Sequence, residues 1–352
     1  MRTTLALLML FVAPLALSQE GDTKMKAILY HEYGTADVLR LEETAKPQPN
    51  DNQILIKVRA AAVNPLDWHY MRGTPYAMRL MGTGVRKPKD PRLGADVAGV
   101  VEAVGKNVKQ FKPGDEVFGT SGGAFAQYAL MSSTKAVLKP ANVSFEQAAA
   151  VPVAALTALQ GLRDSGRLHA GQKVLINGAS GGVGTYAVQI AKSMGAEVTG
   201  VCSTRNLELV HSLGADHLID YTKEDFTAGT QRYDLILDTV GNHSLSAARR
   251  VMAPKGLYVG IGGGGPENGG VIGPLASPIK MFFYSPFVSQ HFLTFYADIE
   301  QKDLTTLATL MATGKVKSVI DRTYPLKEVP AAIRYLEEGH ARGKVIITVD
   351  AS

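Results

Sequence analysis

The sequence predicts a two-domain α/β protein in which a β-rich domain is followed by a doubly wound parallel sheet. The length of 352 residues is sufficient for two domains. Short strand-like segments broken by glycine and proline fill residues 25–150, a pattern typical of a small, folded-over barrel. From residue 173 onward apolar strands alternate with helical segments, which indicates a parallel sheet with helices on both faces.

Residues 1–18 have the features of a secretory signal. Arg2 supplies a positive start, Leu5 to Val12 form an apolar core, and Ala16 and Ser18 give a small-residue cleavage pattern. The apolar segment is short for a membrane span. Three alternatives stay open: export, tethering by an uncleaved anchor, or translation from Met25, which would leave a cytoplasmic protein.

The β-rich domain is predicted over residues 25–150, and we expect residues 298–352 to return and complete it. Alternation of apolar and polar residues is clearest in Ile54 to Arg59. Pro65 suits the first turn of a short helix with Asn64 as its cap. The predicted strands are 27–30, 39–41, 53–62, 96–104 and 115–119, and helices are predicted at 145–150 and 154–162.

A second domain is predicted over residues 151–297, and its first strand leads into a glycine-rich turn. An apolar run, Val174 to Ile176, precedes the turn, and apolar residues at helical spacing follow it. The pattern is Ala179-x-Gly181-x-x-Gly184, with alanine at the usual first glycine. The start of a helix presents unpaired N–H groups and a positive dipole, so this order predicts a dinucleotide site. The alternative is an ordinary tight connection between strand and helix.

The end of the next strand indicates which dinucleotide binds. An NAD site usually has Asp or Glu about 20 residues after the turn, to hold the ribose 2′-hydroxyl. This chain has Ser203, Thr204 and Arg205 there. Hydroxyls and a guanidinium suit a 2′-phosphate, so we expect NADPH rather than NADH. The alternative for Arg205 is an ordinary solvated residue at a helix start.

The remaining segments continue the alternation of strands and helices. Further strands are predicted at 197–201, 218–221, 235–237, 257–260 and 292–296, with helices at 207–213 and 244–252. The tail is predicted to contain helices 304–312 and 329–338 and strands 319–321 and 345–349. Residues 262–273 are predicted to be a loop. The aromatic segment 279–287 has three interpretations: a substrate lid, a membrane-touching patch, or a core or dimer contact.

Composition excludes several functional classes. The net charge is +5, but no block of basic residues or interleaved aromatic array is present, so nucleic-acid binding is not expected. Cys202 is the only cysteine, which excludes intrachain disulfides and a zinc site built from several cysteines.

Several motifs together resemble one family. They are Val63 to Asp67, Gly94 to Val101, Lys112 to Val117, Val153 to Ala158, the glycine turn, and Gly343 to Val345. Over residues 25–350 the chain resembles the zinc-free medium-chain dehydrogenases/reductases of the quinone oxidoreductase type, in particular the chloroplast-envelope and mitochondrial reticulon-interacting branch. The resemblance implies a GroES-like β-rich catalytic domain plus a Rossmann doubly wound parallel sheet and, for most members, a homodimer.

The differences from zinc alcohol dehydrogenases bear on the chemistry. Those enzymes have a cysteine near the present Asn64 to Asp67 and Gly-His-Glu at the present Gly94 to Asp96, and both ligands are missing here. His69 is the only nearby candidate, and one histidine does not make a zinc site. We therefore expect zinc-independent hydride delivery to a quinone or an α,β-unsaturated carbonyl, whose conjugation spreads the developing charge.

The resemblance also implies site residues. Those that meet the cofactor would be Thr157, Ser180, Gly181, Gly182, Val183, Gly184, Ser203, Arg205, Tyr221, Gly260, Ile261, Arg342, Gly343 and Lys344. Of these, Ser203, Arg205 and Tyr221 would hold the 2′-phosphate, and Arg342 to Lys344 would close over the cofactor.

The catalytic candidates are Asn64 first, with Asp67 or Tyr70 second. Asn64 would hold substrate or the nicotinamide ribose, and its alternative role is the helix cap. Asp67 has the alternative of pairing with a nearby arginine. No essential general acid is evident, so water is the expected source of the second proton. The alternative function is a nucleotide-binding, membrane-associated partner protein without turnover.

Overall fold

The computed structural model describes residues 23–262, 281 and 288–350. The predicted signal at 1–18, nearly all of the predicted loop at 262–273 and nearly all of the aromatic segment at 279–287 lie outside the described residues. In the part of the chain that is described, no helix is both long and apolar enough to cross a bilayer.

The first half of the chain forms strands and a few short helices. In chain order the strands are β1 Lys24–Leu29, β2 Arg40–Ala45, β3 Gln53–Val63, β4 Asp96–Val104, β5 Glu116–Thr120, β6 Tyr128–Ser132 and β7 Ala136–Leu138. The helices are α1 Pro65–Arg72, α2 Tyr76–Met78, α3 Phe145–Ala149 and α4 Pro152–Gln160, and a π-helical turn, Gly161–Ser165, follows α4.

The second half contains the alternating strands and helices. Its elements are β8 Lys173–Asn177, α5 Gly182–Ser193, β9 Glu197–Cys202, α6 Leu207–Ser212, β10 His217–Asp220, β11 Tyr233–Asp238, α7 Leu245–Arg249, β12 Met252–Gly260 and β13 His291–Thr294. The tail adds α8 Gln301–Ala312, β14 Ile320–Pro325, α9 Val329–Glu337 and β15 Lys344–Thr348.

Two large sheets organise these elements. Six strands form a parallel sheet in the order β10-β9-β8-β11-β12-β13. The other sheet has the order β14-β15-β3-β4-β5-β7, with β6 paired to β3, and β1 pairs with β2 in an antiparallel hairpin. The central strand β8 is apolar and buried through Val174, Leu175 and Ile176, as expected for a parallel strand covered on both faces.

The α/β fold class is confirmed, with a GroES-like sheet and a Rossmann-like parallel sheet. Strand β15 pairs with β3 in antiparallel fashion, so the tail rejoins the first sheet. Helix α8 instead reaches α4, since Gln160 donates to the Asp303 carboxylate at 2.9 Å and Arg163 also binds it. The domain division at 25–150, 151–297 and 298–352 stays a prediction.

Some elements differ from those predicted. Strands β6 and β7 were not expected. Both are short, and the partner of β6, strand β3, lies far away in sequence. The helix predicted at 244–252 is shorter, since Met252 already belongs to β12. Ser244 caps it by accepting from the Ala247 N–H at 3.1 Å.

Candidate cofactor and catalytic site

The glycine turn lies between β8 and α5, where the parallel strands end. Gly178 has a φ of 84°, which favours glycine, and the turn closes with a bond from the Gly181 N–H to the Gly178 carbonyl. A Cβ on Gly184 would lie 2.1 Å from the Gly178 oxygen, so a side chain cannot be accommodated there. Ala179, at the first position of the fingerprint, is fully buried. The turn therefore brings bare backbone and the first N–H groups of α5 to one edge of the sheet.

The segment that begins β15 lies against this turn. Gly343 donates its N–H to the Ser180 carbonyl at 2.9 Å, and Gly181 and Gly343 form a parallel bridge. Gly343 has a φ of 94°, and a Cβ there would lie 2.3 Å from the Val319 oxygen. The neighbouring Arg342 is held by its N–H, which donates to Asp321 at 2.9 Å. The tail thus reaches the turn, where the sequence placed Arg342, Gly343 and Lys344.

Two serines of the predicted phosphate site are brought together by a residue that the sequence analysis did not single out. The Asn206 side-chain amide donates to Ser180 Oγ at 3.0 Å and to Ser203 Oγ at 3.2 Å. Asn206 lies in the helical turn before α6 and is buried. Its only sequence signal was its position directly after Arg205.

The other residues assigned to the 2′-phosphate, Arg205 and Tyr221, each donate to a backbone carbonyl. The Arg205 guanidinium donates to the His340 carbonyl at 2.9 Å, close to the tail segment. Tyr221 follows β10, is exposed, and is tied by its N–H to the Cys202 carbonyl. Thr204 differs from expectation, because its hydroxyl donates to the Asp220 carboxylate at 2.5 Å and is engaged there.

Asp220 is an acidic side chain at the end of β10, and the sequence analysis did not assign it a role in the site. Its carboxylate accepts hydrogen bonds from Thr204 and Thr222 and pairs with Lys223. The Thr204 hydrogen bond is the main reason that the pKa of Asp220 lies below its ordinary value. Asp220 therefore belongs to a local network at the end of β10, whereas Ser203 occupies the end of β9.

A buried ion pair lies behind the turn. The Lys344 ammonium donates to Asn64 Oδ1 at 2.6 Å and to Asp96 Oδ2 at 3.3 Å, and it also reaches the Val63 carbonyl at 3.3 Å. Asn64 donates to Asp96 at 3.0 Å, and the Val153 N–H donates to the other Asp96 oxygen at 2.9 Å. Burial raises the pKa of Asp96, and the Lys344 charge opposes that shift.

This arrangement occupies both ends of the Asn64 side-chain amide. Its oxygen accepts from Lys344, and its nitrogen donates to Asp96 and, at 3.3 Å, to the Ala62 carbonyl. Asn64 also stands at the N-cap of α1 and forms a capping box with Asp67. The Lys344 stem passes the glycine turn, since its Cδ lies 3.3 Å from where a Cβ on Gly182 would be. Its ammonium is directed into the ion pair.

The second catalytic candidates lie in different surroundings. The Asp67 carboxylate accepts the Asn64 N–H at 2.7 Å and the Gly94 N–H at 3.2 Å, so two backbone groups are its partners rather than the arginine suggested as an alternative. Burial raises the pKa of Asp67 to about 7. Tyr70 lies on the exposed side of α1, and its carbonyl accepts the Tyr30 hydroxyl at 3.5 Å.

A further buried carboxylate lies beside Gly260 and Ile261, two of the predicted cofactor residues. Ile261 follows Gly260, and its N–H donates to the Asp238 carbonyl at 2.8 Å. The Asp238 carboxylate accepts from Asn177 at 2.9 Å and from the Tyr258 hydroxyl at 2.6 Å. Asn177 and Asp238 are the last residues of the adjacent strands β8 and β11. In the sequence, each is a polar residue directly after an apolar run, and this pattern could have indicated them. Thr157 is buried on α4, with its hydroxyl bonded to the Val153 carbonyl at 2.7 Å.

No resident metal centre is evident within residues 23–262, 281 and 288–350, where no three His, Cys, Asp or Glu side chains are grouped to hold an ion. Asn64 and Asp96 lie at or near the positions where zinc alcohol dehydrogenases have metal ligands. Here the Lys344 ammonium bonds to both side chains and supplies a positive charge to Asp96.

Comparisons with known proteins agree over nearly the whole chain. Residues 50–141 match the alcohol dehydrogenase GroES-like domain, and residues 213–347 match a family described as zinc-binding dehydrogenase. The mitochondrial NAD(P)H oxidoreductase RTN4IP1 of Bos taurus is 33% identical, with 96% of this chain and 92% of that protein covered. The 2-methylene-furan-3-one reductase of Solanum lycopersicum is 36% identical, with coverage of 92% and 79%. The structure of Escherichia coli quinone oxidoreductase complexed with NADPH superimposes with a TM-score of 0.77 at 27% identity, covering 92% of this chain and 99% of that one.

Proposed function

The chain belongs to the medium-chain dehydrogenase/reductase family and is an oxidoreductase, and we propose that it uses NADPH to reduce quinones or α,β-unsaturated carbonyls without zinc. The observation that supports the cofactor assignment is the link that Asn206 makes between Ser180 of the glycine turn and Ser203, with Arg205 directly before Asn206 in the chain. Ser203 and Arg205 directly follow β9, and a hydroxyl and a guanidinium at this position suit a 2′-phosphate.

The residues of this chain hold the cofactor in place. The glycine turn and the first N–H groups of α5 bind the pyrophosphate, and Arg205 binds the 2′-phosphate. Gly343 keeps the tail segment against Ser180, so the tail lies beside the proposed pyrophosphate site. When bound, NADPH supplies a hydride.

The second half of the reaction requires little from the protein. In a conjugated acceptor the hydride adds to carbon while the negative charge moves to oxygen, and a proton from water then completes the reduction. Lys344 provides a fixed positive charge, and Asn64 and Asp96 hold its position. This internal cation supports zinc-independent chemistry, because Asn64, Asp96 and Lys344 are already bonded to one another where zinc alcohol dehydrogenases have metal ligands. Asn64, Asp67 and Tyr70 remain the catalytic candidates.

A turnover experiment tests this proposal. Stopped-flow absorbance would follow NADPH oxidation by a panel of benzoquinones, naphthoquinones and enones, with a saturated ketone as the matched control. We expect oxidation with conjugated acceptors and none with the saturated ketone. Tight NADPH binding without oxidation by any acceptor would favour the alternative of a partner protein without turnover.

Arg205 provides a second test of the cofactor assignment. Removal of its guanidinium in Arg205→Ala should weaken NADPH by about tenfold or more while NADH changes little, because NADH carries no 2′-phosphate. Fluorescence titration of both cofactors measures the two affinities. An equal loss of both would contradict the assignment.

The quaternary structure and compartment remain part of the proposal. We expect a homodimer, which sedimentation analysis would measure. For residues 1–18 the alternatives are export, membrane association and a cytoplasmic start at Met25. Peptide sequencing of the mature N-terminus separates a cleaved leader from a retained one.

A further inference from the structure

Asn206 has an unusual balance of hydrogen bonds. The residue is 5% exposed, and its side-chain nitrogen donates to the hydroxyls of Ser180 and Ser203. Its Oδ1 is buried and, in the described part of the chain, has no hydrogen-bond partner. A buried acceptor without a donor costs about 1–3 kcal/mol, so this atom is suited to a ligand that brings a donor.

Asn206 donates both hydrogen bonds to the serines, so neither serine hydroxyl uses its own proton in these bonds. Each hydroxyl has one proton to donate and lone pairs with which to accept. Because both Oγ atoms accept from Asn206, their own protons remain available for an acceptor outside the protein. Ser180 lies in the glycine turn and Ser203 directly follows β9, so the two hydroxyls belong to different segments of the predicted cofactor site.

We propose, on the basis of the proposed NADPH site, that Asn206 is a positioning residue that favours NADPH over NADH. Its amide group holds the Ser180 hydroxyl as a donor to the pyrophosphate and the Ser203 hydroxyl as a donor to the 2′-phosphate. Its buried Oδ1 accepts the 3′-hydroxyl, the one free hydroxyl of the adenosine ribose that joins those two groups. Asn206 thus acts through both serines and binds the sugar between them.

Two substitutions separate these roles from simple packing. Asn206→Asp keeps the shape but replaces the donor with an acceptor, so both serine protons turn toward the new carboxylate and its charge opposes the phosphates. Asn206→Ala removes all three interactions. Asn50→Asp is the matched control for charge, since Asn50 is exposed and its Oδ1 already accepts from the Asn52 N–H.

Fluorescence titration with NADPH and with NADH measures the effect, and circular dichroism confirms folding. Asn206→Asp should weaken NADPH by about tenfold or more beyond its effect on NADH, because charge-assisted hydrogen bonds are lost. Asn50→Asp should match the wild type. In a Ser203→Ala background, Asn206→Ala should no longer change the ratio of the two affinities, since the serine through which Asn206 acts is absent.

The outcomes distinguish this inference from the proposed function. If the wild type binds NADPH but both Asn206 variants retain its ratio of NADPH to NADH affinity, the positioning role is wrong and the cofactor assignment stands. An equal loss of both affinities in Asn206→Asp would assign Asn206 a structural role and overturn the inference. If the wild type binds neither cofactor, both proposals fail.

Discussion

Lys344 and Asp96 form a buried ion pair whose removal should destabilise the fold. Lys344 is 3% exposed and Asp96 is fully buried, so Lys344→Met leaves a carboxylate without its cation and Asn64 Oδ1 without its donor. Breaking a buried pair by removing one partner typically costs about 3–5 kcal/mol, and we expect the free energy of unfolding to fall by that amount. The double variant Lys344→Met/Asp96→Asn removes both charges and should be less destabilised than the sum of the two single variants by about 1–3 kcal/mol.

The loss should also depend on pH. Burial already raises the pKa of Asp96 while Lys344 opposes the shift, so without Lys344 the folded-state pKa moves further above the unfolded value. The folded variant then holds a proton that the unfolded chain releases, and its stability falls as pH rises. The destabilisation of Lys344→Met should therefore be larger at about pH 8 than at about pH 5.

Urea unfolding followed by circular dichroism measures these values. Lys106→Met is the matched control, because Lys106 forms an exposed pair with Asp51 at 2.9 Å. Its removal should change the free energy of unfolding by no more than about 1 kcal/mol. If Lys344→Met were as mild as Lys106→Met at both pH values, the reasoning about the ion pair would be refuted.

Three further predictions test other parts of the site. Gly184→Ala should abolish NADPH binding in titration, since its Cβ would lie 2.1 Å from the Gly178 oxygen. The control Gly122→Ala, whose Cβ would meet no atom within 4 Å, should bind NADPH normally. Normal binding by both variants would contradict the account. Burial raises the pKa of Asp67 to about 7, so the wild-type protein loses stability as the pH rises above the pKa of this carboxyl in the unfolded chain. The stability lost in Asp67→Asn, measured by thermal unfolding, should therefore shrink from pH 5 to pH 8. A loss that stays constant with pH would contradict this prediction. Dialysis against a chelator should leave the rate of NADPH oxidation unchanged, and a loss that zinc restores would show a metal requirement.

Much of the fold was predictable because its signals are local. The apolar run Val174 to Ile176, the glycine turn and the helix after it follow one another directly in sequence. Strand β6 was not predictable in this way, since it is defined by pairing with β3 about 75 residues earlier. Short edge strands of this kind depend on partners that the sequence does not place beside them.

The residues of the site likewise divide into those with local sequence signals and those that depend on contacts between distant segments. The spacing of a strand, a glycine turn and the next strand pointed to Ser203, and the family resemblance implied Ser180; both stay predictions. Asn206 could not be predicted, because its role arises only when the turn and the end of β9 come together. Likewise Lys344 and Asp96 are separated by 248 positions in sequence, and no local pattern indicated that they form one buried pair.

The glycine turn, the two serines and Arg205 together form the proposed NADPH site. Calorimetric titration of the purified full chain with NADPH and with NADH tests it most directly. We predict saturable binding of one NADPH per chain, tighter than that of NADH. No heat of binding with either cofactor, from a protein shown to be folded, would contradict the account.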